Sequence, residues 1–292
     1  MSEDTLSQAR ALLRELTEAA RKGTIVPYNL PRQLEAIDEL LSQSEQGERD
    51  GNSSSLPPDV DNLIKDQAAF MSHAVHELRI PLTSIQGYSD MLNTPGMGEL
   101  NGMQQQFIGT IRTNARRMAA LMTDFSDLSK LRAGVLRSNT KMDTLKNIAL
   151  AVEKQTFPLA EELGKEVVFD IPQGLPVLNL DGELLAKALV KLVENALRYT
   201  PEGGKVTVTA EAEGSKLHIY VQDNGIGMSP EELAQLGTVG FRADNDLVRS
   251  HKGSGLGLPI VYGIVQIFGG SVDVTSQPEQ GTTFKVTVTG MT

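Results

Sequence analysis

Apolar residues recur at helical intervals through the first 46 positions. Leu6, Ala9, Leu13, Leu16 and Ala20 form one run, and Leu34, Ile37 and Leu41 form a second after Pro27 and Pro31. Spacings of three and four predict two short amphipathic helices, either a plain helical hairpin or a signal-input or dimerising element. The stretch GERDGNSSSLPP then reads as a flexible linker over residues 47–59, ending in two prolines. Helical periodicity resumes over residues 60–93 with Leu63, Ile64, Phe70, Met71, Val75, Leu78, Leu82, Ile85 and Leu92. A turn is expected over Asn93–Gly102, where Pro95 and three glycines cluster. Residues 103–133 carry a regular seam of Phe107, Ile111, Asn114, Met118, Leu121, Phe125 and Leu128. Such a seam suits coiled-coil-like packing, and one hairpin buries only one stripe per helix. Two copies pairing residues 60–134 into an antiparallel four-helix bundle complete it naturally.

From about residue 135 the period alternates. Helices are predicted over Met142–Leu163, Gly182–Arg198 and Leu258–Phe268. Strands are predicted over Val167–Ile171, Lys205–Glu211, Leu217–Gln222, Ser271–Ser276 and Thr283–Thr289. The mixture predicts a two-layer α/β sandwich spanning residues 135–292, so the class is α+β with an all-helical N-terminal part.

Composition narrows the chemistry. There are 27 basic and 37 acidic residues, a formal net charge of −10, which argues against a nucleic-acid partner. Cysteine is absent, which removes disulfides, thiolate metal sites and cysteine nucleophiles. No apolar run reaches the roughly 18 residues of a membrane span. The opening MSEDTLSQAR lacks a signal-peptide pattern, so a cytoplasmic location is expected.

Four segments carry candidate chemistry. FMSHAVHELRIPLT, Phe70–Thr83, sets His76 beside Glu77, with Pro81 five residues on in a helix that proline would kink. A neutral imidazole nitrogen is a good nucleophile toward phosphorus, and an adjacent carboxylate can take its proton or fix its tautomer. On residues 182–198, Lys187, Lys191, Asn195 and Arg198 share a face opposite Leu185, Leu189, Leu192, Val193 and Ala196. An amide oxygen there can ligate a hard cation while the cationic side chains meet phosphate. Asp223, Gly225 and Gly227 follow a strand, where a carboxylate can accept from an exocyclic amine and glycines admit close backbone approach. Gly253, Gly255, Leu256 and Gly257 open onto a helix start, a ready anion site, with Arg242, Arg249 and Lys252 upstream. Taken singly, each also fits an ordinary solvated helix face or tight turn.

In this order and at these separations the segments resemble the sensor histidine kinases of two-component systems, over residues 60–292. The resemblance implies a dimeric phosphoacceptor hairpin followed by an ATP-binding domain of the GHKL, Bergerat-type fold with a mixed sheet. It implies His76 as phosphoacceptor and Glu77 as general base. It implies Asn195 as Mg²⁺ ligand, Asp223 reading the adenine amine, and Gly225 and Gly227 lining the base pocket. Lys191, Arg198, Arg242, Gly253, Gly255, Leu256 and Gly257 would attend the phosphates. Tyr199 and Thr282 would lie at the nucleotide site, and Gly237–Lys252 would be the ATP lid. The implied partners are a second copy of the chain and a response-regulator receiver domain. The rival reading is a catalytically weak, nucleotide-binding dimeric scaffold.

Four positions depart from the family pattern. Lys191 replaces an Asn, a single Phe241 stands where the lid carries paired aromatics, and Ile80 replaces the Thr or Asn one turn after the phosphoacceptor. Glu279 stands where a Gly precedes the final Gly-Thr-Thr-Phe.

Overall fold

The computed structural model describes residues 58–94, 98–251 and 253–291. The helices expected over residues 1–46, most of the linker, the centre of the Asn93–Gly102 turn and Lys252 lie outside the described residues. The chain divides between Val135 and Leu136 into two compact units.

In the first unit, α1 (Pro58–Leu92) packs on α2 (Gly102–Arg132). The first helix starts at Pro58 and takes up the last two residues of the expected linker, because a proline in the first helical turn loses no hydrogen bond. A capping box starts α2. The Asn101 side chain accepts from the Gln104 N–H, and the Gln104 side chain accepts from the Asn101 N–H, both at 2.9 Å. Lys130 and Arg132 sit in its last turn, where cations suit the negative end of the helix dipole. The inner stripe consists of Met71, Ala74, Val75 and Leu82 from α1 with Ile108, Ala115 and Leu128 from α2. An ion pair of 2.7 Å between Arg112 and Asp90 ties the helices near the turn. α1 is assigned as helix straight through Pro81, whose missing N–H leaves the Glu77 carbonyl without its helical donor.

Of the expected seam, Phe107, Ile111, Asn114 and Met118 are exposed, as are Ile85, Tyr88, Met91 and Leu92 of α1, whereas Leu121 and Phe125 are half-buried and Leu128 joins the inner stripe. The hairpin therefore carries two apolar stripes, one closed within the chain and one open. Period alone identifies a stripe and not what covers it.

The second unit comprises β1 (Lys141–Asp143), α3 (Leu145–Glu162), β2 (Glu166–Asp170), β3 (Val177–Leu180), α4 (Gly182–Tyr199), β4 (Lys205–Glu213), β5 (Lys216–Asp223), α5 (Pro230–Leu233), α6 (Asp246–Ser250), α7 (Gly257–Ile267), β6 (Ser271–Ser276) and β7 (Thr282–Met291). The strands form one sheet ordered β1-β3-β7-β5-β4-β2, with β6 also paired to β7. It is mixed, since β2 runs parallel to β4 and the other pairs are antiparallel. Leu217, Ile219 and Val221 of β5 stand beside Val288, Val286 and Phe284 of β7 in register, all buried on one face. The layer of α3, α4 and α7 lies against the sheet, with α4 touching both β4 and β5. The core of α4 matches its periodicity, for Leu185, Leu189, Leu192, Val193 and Ala196 are all buried.

The helix expected over Met142–Leu163 is shorter at its start. Lys141–Asp143 is an edge strand, and Thr144 caps α3 by accepting the Asn147 N–H at 3.3 Å. Strand β3 and the two short helices α5 and α6 carry too few residues for a periodic signal.

The loop between β6 and β7 holds Glu279 at φ 62°, the one non-glycine residue with positive φ among those described. This is the position where a Gly was expected. A side chain in left-handed backbone costs roughly 1–2 kcal/mol. Part of that is offset by the entropy glycine loses on folding, about 0.5–1 kcal/mol. Glu279→Gly is thus expected to stabilise the second unit by up to about 1 kcal/mol, a rise of a few degrees in its unfolding midpoint. A lower midpoint in a thermal scan would contradict this account.

Candidate active site

In the first unit His76 and Glu77 project from α1 with their side chains 67% and 57% exposed. Glu77 Oε1 lies 3.5 Å from His76 Nδ1, so the carboxylate stands beside that ring nitrogen and Nε2 is the one away from it. His73 is exposed one turn earlier. Ile80 lies one turn after His76 and is 55% exposed, so its apolar side chain borders the imidazole face.

In the second unit the site grows from three junctions. At the first, the C-terminal end of α4 is stitched to the loop after β5. The Ile226 N–H donates to the Tyr199 carbonyl at 3.1 Å, and a Cβ on Gly225 would lie 2.4 Å from that oxygen. Only glycine lets the loop approach so closely. This brings Asn195, Arg198 and Tyr199 together with Asp223 and Gly225.

At the second junction, the loop before β7 closes on the same segment. The Glu279 N–H donates to the Ile226 carbonyl at 2.7 Å. Gly227, at φ +64°, passes so near Gln277 that a Cβ would fall 1.8 Å from its carbonyl oxygen. The Thr282 N–H reaches back to Asp223, while the Thr282 hydroxyl pairs with the Ser276 hydroxyl at 3.0 Å.

Asp223 sits where these two junctions meet, 8% exposed. Its Oδ1 accepts from the Gly225 N–H at 2.8 Å and the Thr282 N–H at 3.1 Å. Both bonds fall on one oxygen, so Oδ2 is the atom left to meet a ligand. Burial raises its carboxyl to about 6, against the pull of the two N–H groups.

The third junction is the glycine loop. The Gly240 N–H donates to the Gly255 carbonyl at 3.2 Å, and Gly255 at φ +70° leaves no room for a Cβ beside Gly240. Leu256 precedes α7 with no side-chain cap, so the first N–H groups of that helix are not taken by a capping side chain. A Cβ on Gly257 would come within 3.8 Å of Asn195 Nδ2, which sets the start of α7 beside the polar face of α4. Lys191 lies on that face and engages a partner.

Arg242 is placed otherwise than a free phosphate contact. Its guanidinium donates to the carbonyls of Val248, His251 and Gly253, and its Nε is buried without a partner among the described residues. Two residues that sequence reasoning missed lie close by. Lys165 donates to the Leu197 carbonyl at the end of α4, where burial and then the nearby Arg198 charge push its ammonium below its ordinary range. Burial, followed by the charges of Lys165 and Arg198, likewise lowers the His251 imidazole, against a hydrogen bond to the Arg198 backbone. Neither residue belongs to a recognisable motif; only the fold brings them to the end of α4.

Comparison with known proteins follows this division. Residues 66–134 match the model of the His Kinase A (phospho-acceptor) domain. Residues 180–290 match that of the histidine kinase-, DNA gyrase B-, and HSP90-like ATPase. The histidine protein kinase DivJ of Caulobacter vibrioides is 31% identical over 228 residues, 78% of this chain and 38% of that protein. The sensor protein SrrB of Staphylococcus aureus is 26% identical over 287 residues, 97% of this chain and 46% of that protein. The chain thus spans under half the length of these relatives. Among solved structures, full-length ShkA in complex with AMPPNP aligns with a TM-score of 0.64 and 24% identity, over 76% of this chain and 46% of that one. The Acinetobacter baumannii histidine kinase AdeS aligns with a TM-score of 0.52 and 20% identity, over 74% and 98%. Both likenesses concern the fold. Among the described residues no helix is long and apolar enough to cross a membrane.

Proposed function

We propose, from the premise that this chain belongs to the sensor histidine kinases by its phosphoacceptor and ATP-binding domains, that it transfers the γ-phosphoryl group of ATP to His76 and then to an aspartate of a response regulator. The observation that carries the nucleotide half is Asp223, a buried carboxylate with Oδ1 fixed by two N–H groups and Oδ2 open in a glycine-walled cradle. Such an acceptor suits the exocyclic amine of adenine, and Gly225 and Gly227 give the base room. The uncapped N-terminal N–H groups of α7, which Gly257 opens and Gly253 and Gly255 precede, suit the phosphates. Arg198 adds positive charge on the face of α4.

The residues present fit a magnesium ion held mainly by the nucleotide. Asn195 offers one hard oxygen ligand beside the phosphate loop, and phosphate oxygens and water complete the set. When bound, MgATP supplies an activated phosphoryl group with its charge partly neutralised. The chain itself presents the nucleophile. Glu77 stands beside His76 Nδ1 and away from Nε2, and it receives or screens the proton as the phosphorus–nitrogen bond forms.

The open stripe of Phe107, Ile111 and Met118, with Ile85, Tyr88 and Met91 of α1, suits pairing with a second copy into a four-helix bundle. The reading places the reaction in the cytoplasm, where ATP is available. Its direct test is transfer: labelled protein, freed of ATP and mixed with a receiver-domain protein, should lose label as the receiver gains acid-stable, base-labile phosphate. Label that stays on this chain with every receiver tried would count against the regulator step.

Ile80 bears on a separate reaction, hydrolysis of the regulator's acyl phosphate by water. Its side chain has neither donor nor acceptor and orients no water beside His76. The native protein should therefore show little phosphatase activity toward its phosphorylated regulator, and Ile80→Thr should raise it with autophosphorylation nearly unchanged. Loss of label from purified phospho-regulator is the readout. Fast loss with Ile80 in place, independent of His76, would overturn this expectation.

A further inference from the structure

The segment between Gly240 and Gly255 is closed at its base by the Gly240–Gly255 hydrogen bond. Within it, the Arg242 guanidinium turns back onto the segment's own backbone. Its Nη1 donates to the Gly253 carbonyl at 3.2 Å, and its Nη2 donates to both the Val248 and His251 carbonyls. The Val248 carbonyl lies near the end of α6, and those of His251 and Gly253 belong to the backbone leading into the glycine loop. A Cβ on Gly253 would rest 3.6 Å from the guanidinium carbon, so the glycine backbone lies against the cation. A planar fork with several donors can hold three carbonyls at once, which a single ammonium does poorly. Three of its five N–H groups are thus committed before any nucleotide arrives, while Nε is buried without a partner among the described residues.

We infer that Arg242 is a positioning residue that clasps residues 240–255 into the shape from which the glycine loop meets the nucleotide, and that it does not itself ligate phosphate. The inference rests on the nucleotide-site reading above, yet it makes a claim about the nucleotide-free protein that can fail alone. Another basic residue of the segment, Arg249, is engaged with Asp244 and with Asp246 at 3.2 Å.

The test compares Arg242→Gln and Arg242→Lys with the native chain. Amide hydrogen exchange is followed over residues 240–257 without nucleotide, and ATP and ADP affinities are then measured. Losing hydrogen bonds from a charged donor should speed exchange in this segment roughly tenfold or more, in both variants, with the rest of the second unit unaltered. ATP and ADP should weaken by a common factor, and Lys should fail to rescue. A phosphate ligand predicts the opposite: exchange without nucleotide unchanged in Arg242→Gln, and affinity restored by the Lys charge. Either of those two results would overturn the inference. If the native chain bound no nucleotide, the function proposed above would fall, while the exchange comparison would still decide the clasp.

Discussion

No phosphoryl group is expected on the protein once His76 is replaced by Gln. The amide lacks the ring nitrogen that forms the phosphoramidate, and it keeps a comparable polarity at an exposed position on α1, so the hairpin has no reason to unfold. ATP binding should persist, because the nucleotide residues all belong to the second unit. The change therefore separates binding from chemistry. Replacing Glu77 by Gln should leave a residual rate, since the carboxylate assists the imidazole without forming the bond; general-base help is worth about 10²–10⁴-fold. The measurement is label retained on the protein after incubation with γ-labelled ATP. Undiminished labelling in His76→Gln, or label relocated to His73, would show that the nucleophile has been misplaced.

Asp223→Asn should reduce ATP affinity by about 10- to 150-fold, the worth of a charged hydrogen bond of roughly 1.5–3 kcal/mol. The structure specifies why. Oδ1 already accepts from Gly225 and Thr282, so the variant amide will keep its oxygen there and turn its NH₂ into the place of Oδ2. A donor would then face the adenine amine. The same orientation preserves both backbone bonds, so the fold should survive. GTP, with no amine at that position of its ring, should bind the native protein far more weakly than ATP. Equal affinity for the two nucleotides would refute the adenine role.

The pH dependence follows with a definite sign. Burial lifts Asp223 from 3.8 to about 6 in the ligand-free protein, and the amine needs the ionised form. As pH falls below about 6, ATP affinity should drop by up to about tenfold per unit, a component that Asp223→Asn lacks. The same shift makes the folded, ligand-free protein bind a proton more readily than the unfolded chain. Its contribution to stability is fully present below about pH 4 and is lost as pH rises through about 6.

What could be read from the chain was whatever its local period or local chemistry encodes. The buried and polar faces of α4 follow from a strong 3.6-residue repeat, and every apolar position named there is buried. The placement of Asp223 at a strand end is legible from an alternating run followed by Asp-Asn-Gly. Its second N–H donor, 59 residues away at Thr282, is not, because β5 and β7 come together only through sheet register. The short strands β1 and β3 are three and four residues long and owe their conformation to neighbours. The seam on α2 was visible as a stripe, but which part of it faces outward depends on how α1 packs. Arg242 reads as a phosphate contact from its place before a glycine loop, and only the folded segment sets three carbonyls against its guanidinium. Glu279 looked like a missing glycine, and its positive φ gives that departure a physical cost.

The central claim is that this chain moves a phosphoryl group from ATP onto an imidazole. It is tested most directly by incubating the purified chain with γ-labelled ATP and magnesium, denaturing it, and dividing the protein between acid and base. The account predicts label that acid removes and base leaves in place, carried by the peptide containing His76. Release of free phosphate with no label on protein, or acid-stable label on a hydroxyl side chain, would contradict it.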